Sequence, residues 1–197
     1  MTRSRRGCIR FAAFALLALA VARPAVALPV VTIDFESLAN LEAVTNQFAA
    51  DQIVFSNVIV LESFSTLNEI DFPPSSGVHA ITGIAAGPAV IDFLQSASLF
   101  NVQLTTADTA LVQAFGVGDV LLDSQLVVAN LGAPTQAGFL RGSQDIDYVA
   151  IASQSTGNAF FLTLDDVSFQ IPEPSGLLLM VAGLVPISAA RCLGRTR

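Results

Sequence analysis

The sequence predicts an all-β protein, a jelly-roll-type antiparallel β-sandwich flanked by an N-terminal signal peptide and a C-terminal transmembrane helix. Three observations lead to this prediction. The middle of the 197-residue chain consists of short β-branched and aromatic runs separated by Gly, Asn, Asp, Ser and Pro. Each end carries one apolar segment beside arginines, and all 16 carboxylates lie between these segments, 15 of them in residues 28–171. We therefore divide the chain into residues 1–27, 28–171 and 172–197.

Residues 1–27 contain the three parts of a secretory signal peptide. A start rich in arginine precedes an apolar run at residues 11–21, and Ala25 and Ala27 form a small-x-small ending. The apolar run is much shorter than the roughly 20 residues that a membrane span needs. We expect export through a secretion translocon and cleavage by signal peptidase after Ala27. Arg5 and Arg6 also resemble the twin-arginine pattern, so the export route stays open, with general secretion as the default.

The C-terminal segment predicts a membrane helix over about residues 175–193. Residues 176–190 carry no charge, and as a helix they would extend about 22 Å, which flanking residues bring close to a hydrocarbon core of roughly 30 Å. Arg191, Arg195 and Arg197 follow this segment. Because arginines stay on the cytoplasmic side, the carboxylate-rich middle is expected to face outward.

Pro172, Glu173 and Pro174, followed by an apolar helix and a terminal arginine cluster, resemble the PEP-CTERM sorting signal of Gram-negative bacteria. This tail also carries the name ice-binding protein C-terminal domain. The resemblance implies recognition of the motif by an exosortase, removal of the tail, and delivery from the inner membrane to the cell surface or exopolysaccharide matrix. The two prolines are expected to keep the motif extended and accessible outside the bilayer.

The body, residues 28–171, is predicted to contain nine short strand-like runs. Gly116–Asp119 is expected to form a hairpin turn, and Glu62–Gly77 the one long loop. A short helix is a weaker candidate near Leu38–Phe48. The body also resembles the β-sandwich domains common in PEP-CTERM proteins, in its opening Ile33–Glu36 and its closing Leu164–Phe169 among other segments. The predicted runs are residues 30–35, 53–61, 89–93, 99–104, 110–115, 120–122, 125–128, 146–151 and 160–169.

The charge and cysteine content of the body exclude several classes of function. Arg141 is its one basic residue against fifteen carboxylates, a net charge of −14, so nucleic-acid binding is excluded. Both cysteines lie in the end segments, which excludes a disulfide, a zinc site with cysteine ligands and Cys-His catalysis in the body. His79, the one histidine, is expected at the surface or at a loop edge.

Four carboxylates suggest a calcium site. Asp34 and Glu36 alternate along the predicted first strand, and Asp165 and Asp166 lie near the end of the last. Neighbouring first and last strands would bring the four together, and Ca²⁺ neutralises such clusters with six to eight oxygen ligands. The alternative is that they are solvent-facing charges that discourage aggregation at a sheet edge.

Three functions remain open for the body. The first is a non-enzymatic structural or adhesive component of the surface or matrix. The second is a calcium-dependent glycan-binding module, with exopolysaccharide as partner, although sugar platforms favour Trp or Tyr and the body offers only Tyr148. The third and most distant is a secreted hydrolase with paired carboxylates. The twelve phenylalanines of the body are expected in the core.

Overall fold

The structure, a computed structural model, describes residues 29–171. They form twelve strands and one short 3-10 helix, Ala49–Asp51, so the prediction of an all-β body is confirmed. Within this range no helix has the length and apolar character needed to cross a membrane. The strands are β1 Val30–Ile33, β2 Ala43–Val44, β3 Ile53–Ser56, β4 Val58–Glu62, β5 His79–Gly83, β6 Ala89–Ala97, β7 Leu99–Thr106, β8 Ala110–Gly116, β9 Val120–Val127, β10 Thr135–Leu140, β11 Ile146–Ser153 and β12 Leu162–Gln170.

The strands form two sheets, and every pair of neighbouring strands is antiparallel. The seven-stranded sheet has the order β10-β7-β12-β5-β4-β2, with β1 also paired to β12. The five-stranded sheet has the order β3-β6-β11-β8-β9. Alternate residues of both sheets point into one buried apolar cluster, which makes the molecule a β-sandwich.

Two groups of phenylalanines pack within this core. Phe35, Phe48 and Phe55 form edge-to-face contacts with ring centroids 5.5 to 6.0 Å apart. Phe93 packs between Phe100 and Phe169, at 6.2 and 5.4 Å. Such pairs add roughly 0.5–1.5 kcal/mol each to the free energy gained by burial.

Several predicted boundaries were wrong. The run at residues 53–61 is two strands in different sheets, because Asn57 takes a left-handed conformation (φ 62°) between β3 and β4. The weak helix candidate at Leu38–Phe48 is instead turns and the short strand β2. Conversely, the runs at 120–122 and 125–128 form one strand, β9. The predicted hairpin turn is confirmed between β8 and β9, and the predicted long loop is confirmed between β4 and β5.

Strand β12 pairs with β7 along one side. Along its other side it pairs with β1 from Val167 to Gln170 and with β5 at Leu164, and we call the place where this partner strand changes the fork of β12. Its ladder with β7 shifts register between Asp165 and Ser168, and Asp166 has a positive φ of 46°. This irregularity resembles a β-bulge, which re-aims side chains. The first and last strands are thus neighbours, as predicted.

Candidate functional site

Part of the predicted site lies outside the described residues. The signal-cleavage, sorting-motif and cytoplasmic arginine residues are Ala25, Ala27, Pro172, Glu173, Pro174, Arg191, Arg195 and Arg197. Strand β12 ends at Gln170, two residues before the motif. Val30 pairs with Gln170, so the chain enters and leaves the sandwich at the same end.

The four predicted calcium ligands lie at the fork of β12, but not on the strand positions expected for two of them. Strand β1 ends at Ile33, and Phe35 has a left-handed φ of 62°, so Asp34 and Glu36 lie in a turn. The prediction that these two alternate along the strand was wrong. The backbone N–H of Glu36 donates to Asp34 Oδ1 at 3.2 Å, which is typical of an Asx turn.

Asp165 and Glu36 both bind the end of the long loop. Asp165 Oδ2 accepts the backbone N–H groups of Ser75 and Ser76 at 2.7 and 2.9 Å. Glu36 Oε1 accepts those of Val78 and His79, each at 2.8 Å. The two carboxylates therefore hold the segment from Ser75 to His79 onto the seven-stranded sheet; we call this arrangement the loop clasp.

Two further contacts complete the loop clasp. The Ser76 hydroxyl donates to Asp166 Oδ1 at 2.7 Å. Gly77 has a φ of 52°, and a Cβ at this position would overlap with the Glu36 carboxylate. Glycine is thus required for both its backbone conformation and its lack of a side chain.

Asp165 is 3% exposed, and its pKa is raised to about 6. Burial is the main cause, because it disfavours the charged form, and the neighbouring Asp166 charge adds to it. The backbone N–H donors of Ser76, Asp166 and Ser75 act in the opposite direction without cancelling the effect of burial. Asp165 is therefore a buried acid that ionises with difficulty.

His79 begins β5 at the edge of the loop but is buried, with 9% exposure, rather than at the surface. Its Nδ1 atom has no hydrogen-bond partner, although Glu36 Oε2 lies 3.6 Å away.

Within residues 29–171 no three His, Cys, Asp or Glu side chains are grouped closely enough to hold a metal ion. A calcium ion at the clasp would need further oxygen ligands from the loop backbone or water.

The outer face of the five-stranded sheet presents a second candidate site, which the pairing registers define row by row. One row across the sheet is Leu121, Phe115, Tyr148, Asp92 and Val54. The next row is Ser124, Gln113, Ala150, Val90 and Ser56. The alternate residues on these strands point into the core, so these rows face away from it.

A groove runs along β11, the central strand of this sheet. Ala150 and Ala152 form its floor, because their methyl side chains lie between the longer Leu111 and Gln113 of β8 and Pro88, which precedes β6. Ser153, Gln154 and Gly157 complete the lining of a volume of about 220 Å³. We call this feature the β11 groove. Small residues on a central strand between larger neighbours leave a linear depression on a sheet.

An aromatic pair lies one row beyond this floor, at one end of the β11 groove. Tyr148 and Phe115 stack with ring centroids 4.7 Å apart and 11° between the ring planes. The Tyr148 hydroxyl donates to Asp119 Oδ1 at 3.0 Å. Burial is the main factor that raises the pKa of Tyr148, followed by the hydrogen bond to Asp119 and by the charges of Asp119, Asp92 and Asp147. Three carboxylates therefore surround the aromatic end.

Two carboxylates and one amide near the groove lack protein partners. Burial raises the pKa of Asp92, and repulsion by Asp147 adds to the shift. Among the described residues, neither these two carboxylates nor the Gln113 amide forms a side-chain hydrogen bond. Arg141, the one cation of that range, is bound to Asp145 through Nε to Oδ1 at 3.0 Å and Nη2 to Oδ2 at 2.9 Å. The groove thus has free acceptors and donors for a ligand.

A smaller cleft lies on the other sheet, between its outer face and the long loop. It has a volume of about 210 Å³ and is lined by Leu67, Phe72 and Phe161 among others. Phe161 is 73% exposed and Phe64 is 86% exposed, and both have a φ of 62°. The prediction that all twelve phenylalanines are core residues is therefore wrong for these two, for Phe160, which is 36% exposed, and for Phe115, which lies on the outer face of the five-stranded sheet. The cleft's Thr66 and Thr82 hydroxyls already donate to protein oxygens, which leaves it fewer polar groups for a ligand.

Sequence reasoning missed the β11 groove. The sequence singles out Tyr148 only as the one tyrosine of the body, and Ala150 and Ala152 fit an ordinary strand pattern. The available signal was the alternation of Tyr, Ala and Ala with buried Val149 and Ile151. Recognising a groove also requires knowing that β11 is the central strand, which depends on long-range pairing.

No protein-family model and no curated protein sequence matches the chain. Several solved structures are similar at low identity. The K1 cleaved adhesin domain of Lys-gingipain from Porphyromonas gingivalis W83 is 11% identical, with a TM-score of 0.47, over 74% of this chain and 99% of that one. A family 35 carbohydrate binding module from Clostridium thermocellum is 10% identical, with a TM-score of 0.40, over 72% of this chain and 97% of that one.

A further similar structure is the carbohydrate binding module CBM6cm-2 of Cellvibrio mixtus lichenase 5A, in complex with cellotriose. It is 11% identical, with a TM-score of 0.36, over 68% of this chain and 100% of that one.

Proposed function

We propose that the chain is an exported, non-enzymatic adhesive protein of the cell surface or exopolysaccharide matrix, and that its jelly-roll-type body binds a glycan strand in the β11 groove. The observation that supports this most is the groove itself, which has a small-residue floor beside the unpaired Gln113 and an aromatic pair one row beyond one end, next to the unpaired Asp92 and Asp147. Sugars offer hydroxyls for such carboxylates and amides, and apolar ring faces for contact with alkyl and aromatic side chains.

A glycan suits the groove better than an extended peptide does. Peptide strands bind to sheets by adding backbone hydrogen bonds at an open edge. Strand β11 is paired with β6 on one side and β8 on the other, so its backbone groups are already used. Recognition on this face must therefore come from side chains, and a linear polymer rich in hydroxyls matches a linear groove lined by side chains.

Blocking the groove tests this proposal. We expect Ala150→Leu to weaken binding of the full chain to the host's own exopolysaccharide at least tenfold, because the added side chain fills the floor. Ala43→Leu makes the same change at an exposed site on the other sheet and should leave binding unchanged. Equal binding by the two variants, with both folded by circular dichroism, would refute the groove as the site. Release of shortened oligosaccharides by the unmodified chain would instead support the hydrolase alternative.

We also propose calcium binding at the loop clasp as a second role of the body. Supporting it, Glu36 and Asp165 both hold the same loop segment, and Asp34 and Asp166 are their neighbours. A cation would relieve the cost of ionising Asp165 in its buried position. We expect millimolar Ca²⁺ to raise the melting temperature of the unmodified chain, and not that of Asp165→Asn. No difference between the two chains would refute the calcium proposal.

The proposed sorting rests on the sequence resemblance. Pro172 follows the last strand by two residues, so the motif would lie just outside the folded body, next to the expected membrane helix. We expect Glu173→Ala to abolish exosortase-dependent release to the cell surface, while Ser175→Ala leaves it intact. Unchanged release by the Glu173 variant would refute the assignment of the motif. Signal peptidase and the translocon are the other proposed partners.

A further inference from the structure

We infer that the glycan held in the β11 groove carries free, protonated amino groups, as a partly N-deacetylated hexosamine polymer does, and that Asp92 and Asp147 bind them. This inference rests on the proposed glycan binding and specifies the chemical class of that ligand. The observation behind it is that the carboxylates near the groove have the charge opposite to that of protonated amino groups.

The aromatic end of the groove is negatively charged on several sides. Asp119 accepts the Tyr148 hydroxyl, Asp92 is directly opposite Tyr148 in the ladder, and Asp147 precedes it on β11. All three carboxylates act on the Tyr148 hydroxyl. A uronate or sulfated polymer would be repelled there, because its negative charges would meet unpaired carboxylates of the same sign.

The described residues supply no cation to neutralise this end. Arg141 forms two bonds to the Asp145 carboxylate and is therefore engaged elsewhere. Asp92 and Asp147 instead repel one another, and Asp92 is half-buried, so its charge is poorly solvated. An ammonium group on the ligand would relieve both the repulsion and the desolvation, which a neutral hydroxyl would do only weakly.

The stacked rings add a second attraction for a cation. A ring face attracts an ammonium group within about 6 Å of its centroid, by roughly 0.5–1 kcal/mol at exposed sites. Since Tyr148 and Phe115 cover one face of each other, the opposite face of Tyr148 is directed toward Asp92, its partner on β6. Ring and carboxylate would thus act on the same ammonium group, while the apolar groove floor contacts the sugar ring.

The experiment compares glucosamine hexamer, whose amino groups are free and protonated, with N-acetylglucosamine hexamer, whose amino groups are acetylated and neutral. Binding to the full chain is measured by calorimetry near pH 5.5, where the amines are protonated. We expect the glucosamine hexamer to bind at least threefold more tightly. Asp92→Asn and Asp147→Asn should each remove most of that preference, because they should weaken binding of the glucosamine hexamer more than binding of the acetylated hexamer.

Glu69→Gln is the matched control, since it removes one negative charge from the long loop over the other sheet. It should keep the full preference. A loss of preference as large in Glu69→Gln as in Asp92→Asn would overturn the inference, because binding would then reflect overall acidity. Equal affinity for both hexamers, abolished by Ala150→Leu, would overturn the amine preference alone. Binding of neither hexamer, nor of the host's polysaccharide, would refute the proposed function as well.

Discussion

At Asp165, burial of the side chain conflicts with ionisation of its carboxyl group. It lies almost fully buried at the fork of β12, yet it accepts three backbone N–H groups that favour its ionised form. Its pKa of about 6 shows that burial outweighs these bonds. Asp165 can accept the N–H groups of the loop in both its ionised and its protonated form, but its contribution to stability is larger when the carboxyl group is protonated.

This conflict predicts a pH dependence of stability. A folded-state pKa raised above the unfolded value means that the folded state binds the proton more tightly. The stabilisation is therefore complete below about pH 4 and is lost as pH rises through about 6. We expect the contribution of Asp165 to the free energy of unfolding to fall by roughly 2–3 kcal/mol over that interval. Urea unfolding across this range, compared with Asp165→Asn, measures it.

Asp165→Asn should remove this part of the pH dependence while keeping an acceptor for the loop. The proposed calcium binding adds a further expectation. A bound cation would favour the ionised form, so millimolar Ca²⁺ should flatten or reverse the fall in stability. An unmodified chain whose pH profile matches that of the asparagine variant would contradict the assigned pKa.

Gly77 gives a second prediction at the scale of one residue. Gly77→Ala should lower the free energy of unfolding by roughly 1–3 kcal/mol, because the residue has a positive φ and its Cβ would overlap with Glu36. Gly142 has open space around it and no left-handed conformation, so Gly142→Ala is the control and should stay within about 0.5 kcal/mol. Equal effects by thermal melting would show that the loop clasp is not tightly closed.

At the scale of elements, Asn57 forms a break between the consecutive strands β3 and β4, which lie in different sheets. Its side-chain amide donates to the carbonyls of Ala85, Gly87 and Pro88 at 3.0 to 3.2 Å, and its Oδ1 accepts the Ala85 N–H at 2.9 Å. The side chain thus ties the break to the loop before β6. Asparagine also tolerates the left-handed conformation better than most residues do.

Asn57→Gly and Asn57→Ala separate these two contributions. Glycine keeps the backbone conformation and loses only the hydrogen bonds, for an expected cost of about 1–2 kcal/mol. Alanine loses both and should cost roughly 1 kcal/mol more. Denaturant unfolding of the two variants measures the difference. Equal costs would show that the conformation of Asn57 carries no strain.

The element scale also shows how far the sequence could predict this molecule. Short alternating runs predicted the sandwich, the β8-β9 hairpin and the long loop, because these depend on local patterns. The positions of Asp34 and Glu36 were wrong, because a left-handed Phe35 cannot be recognised from β propensity. Ala150 and Ala152 became a groove only through pairing between strands distant in sequence, which no local pattern encodes.

At the scale of the whole molecule, the described body combines many carboxylates with one arginine. Such an excess of one charge destabilises the folded state through self-repulsion and discourages contact with anionic surfaces. We expect the melting temperature to rise when sodium chloride is increased from about 0.01 to 0.15 M, since the Debye length shortens from roughly 30 to 8 Å. Scanning calorimetry at constant pH measures this, and a falling melting temperature would contradict it.

Binding of a glycan in the β11 groove can be tested by nuclear magnetic resonance of the isotope-labelled chain during titration with fragments of the host exopolysaccharide. We expect the largest chemical-shift changes at Tyr148, Ala150 and Gln113, with little change in the cleft of the opposite sheet. Changes centred on Phe72 and Phe161 would place the ligand in that cleft and refute binding in the groove.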